Sequence, residues 1–236
     1  MRLILDNVVK RFDKKTVING ASFEFESGYI YGLLGRNGAG KTTLFNLVNE
    51  DLIADSGNIF VEDGSGRRPV GEEDIGYVLS TPIVPDFMTG RELIKFFIDI
   101  NKEKIKDLKS VDEYLDLVDI AQDSRDKLIR DYSHGMKNKV MLLLTIIANP
   151  PVWLLDEPLT SFDVVVAEEM KNLLRSLKTD KTIIFSTHIM ELALSLCDRI
   201  VLLKNGRLRL LEQGDMTREE FETHIIDVLK EGDSEC

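Results

Sequence analysis

Residues 35–43 read GRNGAGKTT and fit the pattern G-x-x-x-x-G-K-S/T, which is typical of loops that bind phosphate groups. Glycines in such a loop let backbone N–H groups turn into a concavity at a helix N-terminus, where phosphate oxygens bind. Lys41 neutralises the β and γ phosphates in this pattern, and Thr42 offers a hydroxyl ligand to Mg²⁺. The pattern therefore predicts a nucleotide phosphate site made of Gly35, Arg36, Asn37, Gly38, Ala39, Gly40, Lys41, Thr42 and Thr43.

Two adjacent carboxylates, Asp156 and Glu157, follow the apolar run VWLL. Charged groups are costly at the end of a buried strand unless a cation or a proton transfer needs them there. We predict that Asp156 helps Thr42 to hold Mg²⁺ and that Glu157 is the general base for the attacking water. The pair alone is equally compatible with the start of a loop, but together with the phosphate loop it indicates nucleotide hydrolysis.

Positioning these residues requires a scaffold of alternating strands and helices. The phosphate loop follows a short apolar run, YIYGLL at 29–34, and precedes a helical pattern, an order that is an α/β signature. Two further apolar runs, at 152–156 and 182–186, have a helical pattern between them and predict a parallel sheet. The pair Asn205-Gly206 between apolar runs predicts a hairpin.

Two other segments depart from this α/β pattern. Residues 1–28 alternate between apolar and polar side chains, which predicts an antiparallel sheet with one exposed face. Residues from about 82 to 133 contain two S/T-x-x-E capping boxes, at 89–92 and 110–113, which mark the starts of helices. We expect a helical subdomain inserted into the α/β core.

The composition excludes several classes of protein. The 30 Lys and Arg against 41 Asp and Glu leave a formal charge of −11, so we expect no nucleic acid partner. The longest apolar stretch, 140–148, is about half of the roughly 20 residues that cross a bilayer. An acidic residue at Asp6 interrupts any signal-like core, and we therefore expect a cytoplasmic protein.

The order of these motifs resembles that of the ATP-binding subunits of ABC transporters, over nearly the whole chain. YSHGMK at 132–137 resembles the signature sequence of that family, and Asp163 resembles its D-loop aspartate. His188 resembles the switch histidine, and Phe12 stands at the place of the aromatic residue that stacks on adenine. Taken singly, Phe12 is as typical of a core residue as of an adenine platform, and Ser133 is typical of a helix cap. His188 is also compatible with a helix cap, but its STH context favours the functional role. The order of the motifs therefore carries the resemblance.

The resemblance implies an α/β fold: a P-loop NTPase core of mostly parallel sheet flanked by helices, with an N-terminal antiparallel β subdomain and an inserted helical subdomain. It implies one domain over 1–236, which we divide into parts. These parts are an antiparallel β part (1–28), a phosphate-loop core (29–81), a helical subdomain (82–135), a core with the acidic pair and the switch histidine (136–211) and an acidic helical tail (212–236).

The same resemblance implies an ATPase that uses ATP and Mg²⁺, with Glu157 and His188 as catalytic residues. ATP binding is expected to close two copies, or one copy and a related ATPase subunit, into a head-to-tail dimer. The partner then receives the signature residues in trans, namely Ser133, His134, Gly135 and Met136. The dimer docks on a separate membrane-spanning subunit at the cytoplasmic face of the membrane, and similarity to single-domain subunits of bacterial exporters favours export.

Two departures from the family pattern affect these expectations. Ser80 stands where the family usually has glutamine, and its side chain is too short to reach Mg²⁺ or the lytic water directly, so coupling to transport is expected to be altered. In the signature, His134 replaces a glycine and Met136 replaces the glutamine. Ser133 and Gly135 remain, and phosphate binding in trans is expected to survive.

Other functions stay open at this point. A soluble ATP-dependent regulator of the same fold would act on a partner outside the membrane, and a degenerate module would bind ATP without hydrolysing it. A small-molecule kinase with a phosphate loop is disfavoured by the signature-like YSHGMK and by His188.

Overall fold

The computed structural model describes residues 1–103, 105, 107–160 and 162–230. Strands in this part of the chain are β1 (Arg2–Phe12), β2 (Lys15–Glu26), β3 (Tyr29–Leu34), β4 (Ser56–Asp63), β5 (Gly66–Pro69), β6 (Ile75–Val78), β7 (Val152–Asp156), β8 (Thr182–Thr187), β9 (Arg199–Lys204) and β10 (Arg207–Leu211). The α-helices are α1 (Lys41–Val48), α2 (Gly90–Asn101), α3 (Val111–Leu117), α4 (His134–Ala148), α5 (Val164–Leu177), α6 (Met190–Leu196) and α7 (Arg218–Lys230).

The larger sheet has six strands in the order β10-β9-β3-β8-β7-β6. All neighbouring pairs are parallel except β9 and β10, which form the hairpin predicted at Asn205-Gly206. Both turn residues have positive φ, 50° and 73°, as a tight hairpin turn of this kind requires. Strands β7 and β8 are buried along their whole length, because helices cover both faces of a parallel sheet. The predicted parallel sheet is confirmed.

The second sheet is antiparallel and has the order β2-β1-β4-β5. The predicted antiparallel sheet is therefore present, but its confinement to residues 1–28 was wrong. Strand β4 pairs with the edge of β1 that β2 leaves open, with Leu3 opposite Val61 and Leu5 opposite Ile59. Residues 56–69, assigned above to the phosphate-loop core, thus belong to this sheet, because β1 offers two edges for pairing.

The helical layer consists of α2, α3 and α4. Both predicted capping boxes are formed, and each cap side chain accepts a hydrogen bond from the backbone N–H three residues later. Leu143 and Ile147 of α4 pack in one cluster with Ile94 of α2 and Tyr114 of α3. The predicted boundary at residue 135 therefore cuts the first turn of α4, which packs against α2 and α3 as well as against the large sheet.

Three further apolar clusters hold the sheets and the remaining helices together. Phe25, Tyr31 and Phe45 lie between the two sheets and α1. Trp153 and Phe185 lie on the opposite face of the large sheet, beneath α4 and α5. Helix α7 closes the third cluster with Phe221, Ile225 and Val228, and the end of the predicted acidic tail, 231–236, lies outside the described residues.

Candidate active site

The phosphate loop connects the central strand β3 to helix α1. Gly40, the N-cap of α1, has φ 103°, and a Cβ at this position would lie 2.8 Å from Cγ1 of Val17. Only glycine fits both the left-handed backbone and this close approach. The amide of Leu44 donates to the Gly40 carbonyl at 2.8 Å, so the helix begins directly at the loop. The first-turn amides of such a helix face the loop concavity without intrahelical partners.

Lys41 extends back into the loop and is 7% exposed. Its Nζ donates to the Gly35 carbonyl at 2.8 Å and lies 3.5 Å from the Arg36 carbonyl. Burial lowers the pKa of the Lys41 ammonium, while the charges of Glu157 and Asp156 act in the opposite direction. The ammonium is thus already desolvated beside the loop, where an incoming phosphate oxygen can replace the carbonyl partners.

Asp156 ends β7 and brings a carboxylate to the first turn of α1. Thr42 Oγ1 donates to Asp156 Oδ2 at 2.9 Å, and the Ser186 hydroxyl donates to the other carboxylate oxygen. The Asp156 residue is 3% exposed. The hydroxyl of Thr42 and the carboxylate of Asp156 are the hard oxygen donors that Mg²⁺ prefers, and both face the phosphate loop.

Glu157 and His188 are in direct contact. His188 Nδ1 lies 2.8 Å from Glu157 Oε1, although the residues are 31 positions apart in sequence. Glu157 has φ 50°, a left-handed conformation that costs a non-glycine residue about 1–2 kcal/mol. The amide of Glu157 donates to the Ser186 carbonyl at 3.2 Å, which holds this turn. The turn directs Glu157 away from the sheet and into the cavity above the phosphate loop.

A cavity of about 500 Å³ brings most of the predicted residues together. Its lining is Phe12, Val17, Asn37, Gly38, Gly40, Lys41, Thr42, Thr43, Ser80, Asp156 and Glu157. Phe12 is 43% exposed, and the Lys10 ammonium lies 5.4 Å from its ring centroid. Gly35, Arg36 and His188 line a neighbouring cavity on the other flank of the loop, and His188 reaches the first cavity through Glu157.

The signature residues lie elsewhere on the chain. Ser133 is the N-cap of α4 and accepts from the amide of Met136 at 3.1 Å. Together with His134 and Gly135 it lines a cavity of about 400 Å³ that also contains Asp163. Asp163 is itself the N-cap of α5 and accepts from two amides at 3.0 Å. This cavity shares no lining residue with the phosphate cavity, so one copy of the chain does not bring the two together.

Sequence reasoning missed Ser186 and Val17. Val17 sits against Gly40 and lines the phosphate cavity from strand β2, a contact that no local pattern announces. Ser186 of β8 donates to the Asp156 carboxylate and accepts from the backbone amide of Glu157. A signal for it did exist, because Ser186 is a polar residue at the end of a wholly buried apolar strand.

A central phosphate loop in a parallel sheet, with an acidic pair at the end of a nearby strand, defines a P-loop nucleotide hydrolase. The profile of the family described as "ABC transporter" matches residues 18–160. The chain belongs to this family of ATP-binding subunits, as the sequence motifs indicated.

Curated relatives agree with this assignment. An uncharacterised ABC transporter ATP-binding protein of Methanocaldococcus jannaschii is 34% identical over 208 residues, which are 87% of this chain and 75% of that protein. The Nod factor export ATP-binding protein I of Burkholderia lata is 35% identical over 85% of this chain and 67% of its own length. A sulfate/thiosulfate import ATP-binding protein of Agrobacterium fabrum is 34% identical over 91% of this chain and 64% of its own length. The match to a mouse ATP-binding cassette sub-family A member covers 13% of the length of that protein.

Solved structures show the same fold. An ATP-binding subunit of an ABC transporter superposes with a TM-score of 0.77 over 96% of this chain and all of that chain, at 20% identity. A dimeric, post-hydrolysis ATP-binding cassette with ADP and phosphate superposes with a TM-score of 0.75 at 21% identity. The superposition covers 89% of this chain and 98% of that chain. The protein is an ATP-binding ATPase of the ABC type. Within the described ranges, no helix has the length and apolar character needed to cross a bilayer.

Proposed function

We propose that this ATPase drives export of a substrate through a separate membrane-spanning subunit, which it binds at the cytoplasmic face of the membrane. The observation that carries the proposal is a loop after β6 that lines two cavities. Ser80 lines the phosphate cavity, and Leu79 and Ile83 line an apolar groove on the neighbouring surface. A partner in that groove is therefore mechanically connected to the bound nucleotide.

The groove has the character of a protein-binding surface. It has a volume of about 660 Å³ and lies between β6, α2 and α4. Ile83, which lines it, is 75% exposed, and Leu79, Phe97 and Met141 add further apolar side chains to its lining. An exposed apolar side chain at the margin of such a groove is typical of an interaction site. An apolar segment of the membrane-spanning subunit is the occupant that we assign to it.

In the hydrolysis reaction, the phosphate loop and Lys41 bind the ATP phosphates. Glu157 accepts the proton of the attacking water at its carboxylate, and His188 orients that carboxylate through its contact with Oε1. The adenine ring stacks on Phe12, whose ring is exposed at the cavity mouth.

Thr42 and Asp156 are the residues that would hold Mg²⁺. Among the described residues there is no group of three His, Cys, Asp or Glu side chains that could hold a metal ion. Mg²⁺ fits here nonetheless, because it binds through one or two protein oxygens together with substrate phosphates and water. When bound, it neutralises charge that develops on the transferred phosphate.

The separate signature cavity supports a dimer. Ser133 presents a hydroxyl at the N-terminus of a 15-residue helix, where a phosphate is stabilised. Since this cavity lies apart from the phosphate loop of its own chain, the γ-phosphate that it contacts belongs to a second subunit. Two copies in a head-to-tail arrangement then enclose two ATP molecules, with each Asp163 at the subunit boundary. Within each copy, we keep the division of the chain into the parts named in the sequence analysis, with β4 and β5 moved to the antiparallel sheet.

The decisive experiment combines the chain with the membrane protein encoded in the neighbouring reading frame. Ile83→Asp should keep the basal ATPase rate and lose the stimulation by that partner in proteoliposomes. Ile53→Asp is the matched control, because Ile53 is 84% exposed and lies outside the groove. Lys41→Ala should abolish both rates.

Equal stimulation of both isoleucine variants would contradict the groove assignment. The absence of any stimulation in the wild type would instead favour a soluble regulator that acts outside the membrane. Direction is tested in inverted vesicles that contain both proteins, where export appears as ATP-dependent accumulation of substrate and import as its release.

A further inference from the structure

Ser186 occupies a position between the two acidic residues of the site. It is the penultimate residue of the buried strand β8, two positions before His188, and is 0% exposed. Its hydroxyl donates to Asp156 Oδ1 and accepts from the backbone amide of Glu157 at 3.3 Å. The carbonyl of the same residue accepts from that amide at 3.2 Å.

These contacts divide the two oxygens of Asp156 between two partners. Oδ1 is held by Ser186 from the sheet side, and Oδ2 accepts from Thr42 at 2.9 Å on the side of the phosphate loop. A carboxylate fixed at one oxygen keeps the other in a constant direction. Loss of the Ser186 hydroxyl leaves a buried carboxylate oxygen without this donor, and the carboxylate is then free to rotate about its contact with Thr42.

The second consequence concerns the backbone of Glu157. Its left-handed conformation is strained and persists only where surrounding groups fix it. Ser186 supplies two acceptors for the Glu157 amide, one from its side chain and one from its backbone. One residue of β8 thus orients the carboxylate of Asp156 and helps to fix the turn that carries Glu157.

We infer that Ser186 is a positioning residue for the Mg²⁺-binding carboxylate of Asp156. This inference rests on the proposed role of Asp156 with Mg²⁺. Hydrogen-bond partners behind a metal ligand contribute about 10- to 100-fold to metal affinity or activity. Ser186 acts on Mg²⁺ through Asp156 and does not bind the nucleotide, so its loss should affect only the metal-dependent part of nucleotide binding.

The experiment measures the affinity for a non-hydrolysable ATP analogue by calorimetry, with Mg²⁺ and with a chelator. Ser186→Ala should reduce the enhancement by Mg²⁺ about 10- to 100-fold and leave the metal-free affinity within about twofold of wild type. Ser186→Thr keeps the hydroxyl and should restore the enhancement. Thr182→Val is the matched control, because Thr182 is a buried hydroxyl of the same strand without a hydrogen-bond partner.

Thermal unfolding of each variant shows whether it is folded. If Ser186→Ala does not fold, Ser186→Cys replaces it, since a thiol of similar size is a weaker donor and should give an intermediate loss. An undiminished enhancement in the alanine variant overturns the inference. An equal loss of the metal-free affinity also overturns it, because it assigns Ser186 a general structural role. A wild type with no enhancement by Mg²⁺ overturns the proposed role of Asp156 as well.

Discussion

Glu157 is the proposed general base, and its replacement should separate ATP binding from hydrolysis. Glu157→Gln keeps the size of the side chain and removes the proton acceptor, so the hydrolysis rate should fall by about 10²- to 10⁴-fold. ATP binding should persist, because the phosphate loop and Thr42 are unchanged. Phosphate release under saturating ATP and equilibrium nucleotide binding provide the two measurements.

The control for this variant is Glu191→Gln, an exposed acid three residues beyond His188. It should hydrolyse ATP like the wild type. Normal turnover in Glu157→Gln would remove Glu157 from the role of base.

Ser80 departs from the glutamine that is usual in the family, and it lines the phosphate cavity from the loop that also borders the groove. Ser80→Gln lengthens the side chain toward the γ-phosphate position. We expect a larger stimulation of the ATPase by the membrane partner, since the amide connects the groove to the nucleotide directly. The ratio of stimulated to basal rates measures this effect. Ser80→Ala, which shortens the side chain, should behave like the wild type, and identical ratios in all three proteins would contradict the idea.

The members of the phosphate loop and the acidic pair could be predicted because each motif is contiguous in sequence. Contacts between motifs could not be predicted in this way. The hydrogen bond between His188 and Glu157 joins strands β7 and β8 across 31 residues, and only the parallel register places the two side chains together. Ser186 was missed for the same reason, since its partners lie on another strand.

Strand β6 forms the edge of the large sheet, and Asp74 fixes the chain where this strand begins. Its carboxylate accepts from the Gly71 amide at 2.8 Å. It also accepts from the two terminal guanidinium nitrogens of Arg68, at 2.5 and 2.7 Å. Its carbonyl accepts from the Val152 amide of β7 at 3.0 Å. The hydrogen bond to the Arg68 guanidinium holds the pKa of the Asp74 carboxyl below its ordinary value, although burial acts in the opposite direction.

Asp74→Ala should therefore lower the free energy of unfolding at pH 7 by about 1.5–3 kcal/mol, the range for hydrogen bonds to charged groups. A carboxyl with a lowered pKa stabilises the folded state above its ordinary pKa, and this contribution is lost as the pH falls through the folded value. The difference between variant and wild type should thus narrow below about pH 4. Urea unfolding of the variant and the wild type across this pH range measures the difference in their free energies of unfolding.

Asp123→Ala serves as the control, because Asp123 is 80% exposed and its ion pair with Lys127 lies on the surface. It should leave the free energy of unfolding nearly unchanged. A constant difference between Asp74→Ala and wild type at all pH values would assign the effect to packing instead of charge.

Local signals decided which elements could be predicted correctly. The capping boxes at Thr89 and Ser110 lie within four residues each, and both helices begin where the boxes predicted. Strand β4 pairs with β1 across 47 to 60 residues of sequence, and its alternation gave no indication of which sheet it would enter. Helix α4 likewise packs both against α2 and α3 and against the large sheet, so a boundary at residue 135 assigns it to one part only.

The proposed dimer makes a prediction about assembly. Glu157→Gln should accumulate as a dimer in Mg-ATP, because unhydrolysed ATP stabilises the associated state. Adding Ser133→Ala should return this variant to monomers, since the γ-phosphate loses its contact from the opposite subunit. Light scattering at several protein concentrations gives the mass.

Ser110→Ala in the same background is the matched control. Ser110 is also an N-cap serine, with the same hydrogen bond to the amide three residues later, but it lies at α3. It should lose helix stability and keep the dimer. A dimer that survives Ser133→Ala, or a Glu157→Gln variant that stays monomeric, would contradict the head-to-tail arrangement.

The central place of β3 in the large sheet has a consequence for biosynthesis. Its two neighbours are β8 and β9, and the pairing of Tyr31 with Arg199 joins residues about 170 positions apart. At a translation speed of about 5–20 residues per second, roughly 10 to 30 s pass between the synthesis of the two strands. For most of this time β3, which leads into the phosphate loop, lacks both of the strands that flank it in the folded chain. We therefore expect ATP to stabilise the new chain fully only once both β8 and β9 have been made.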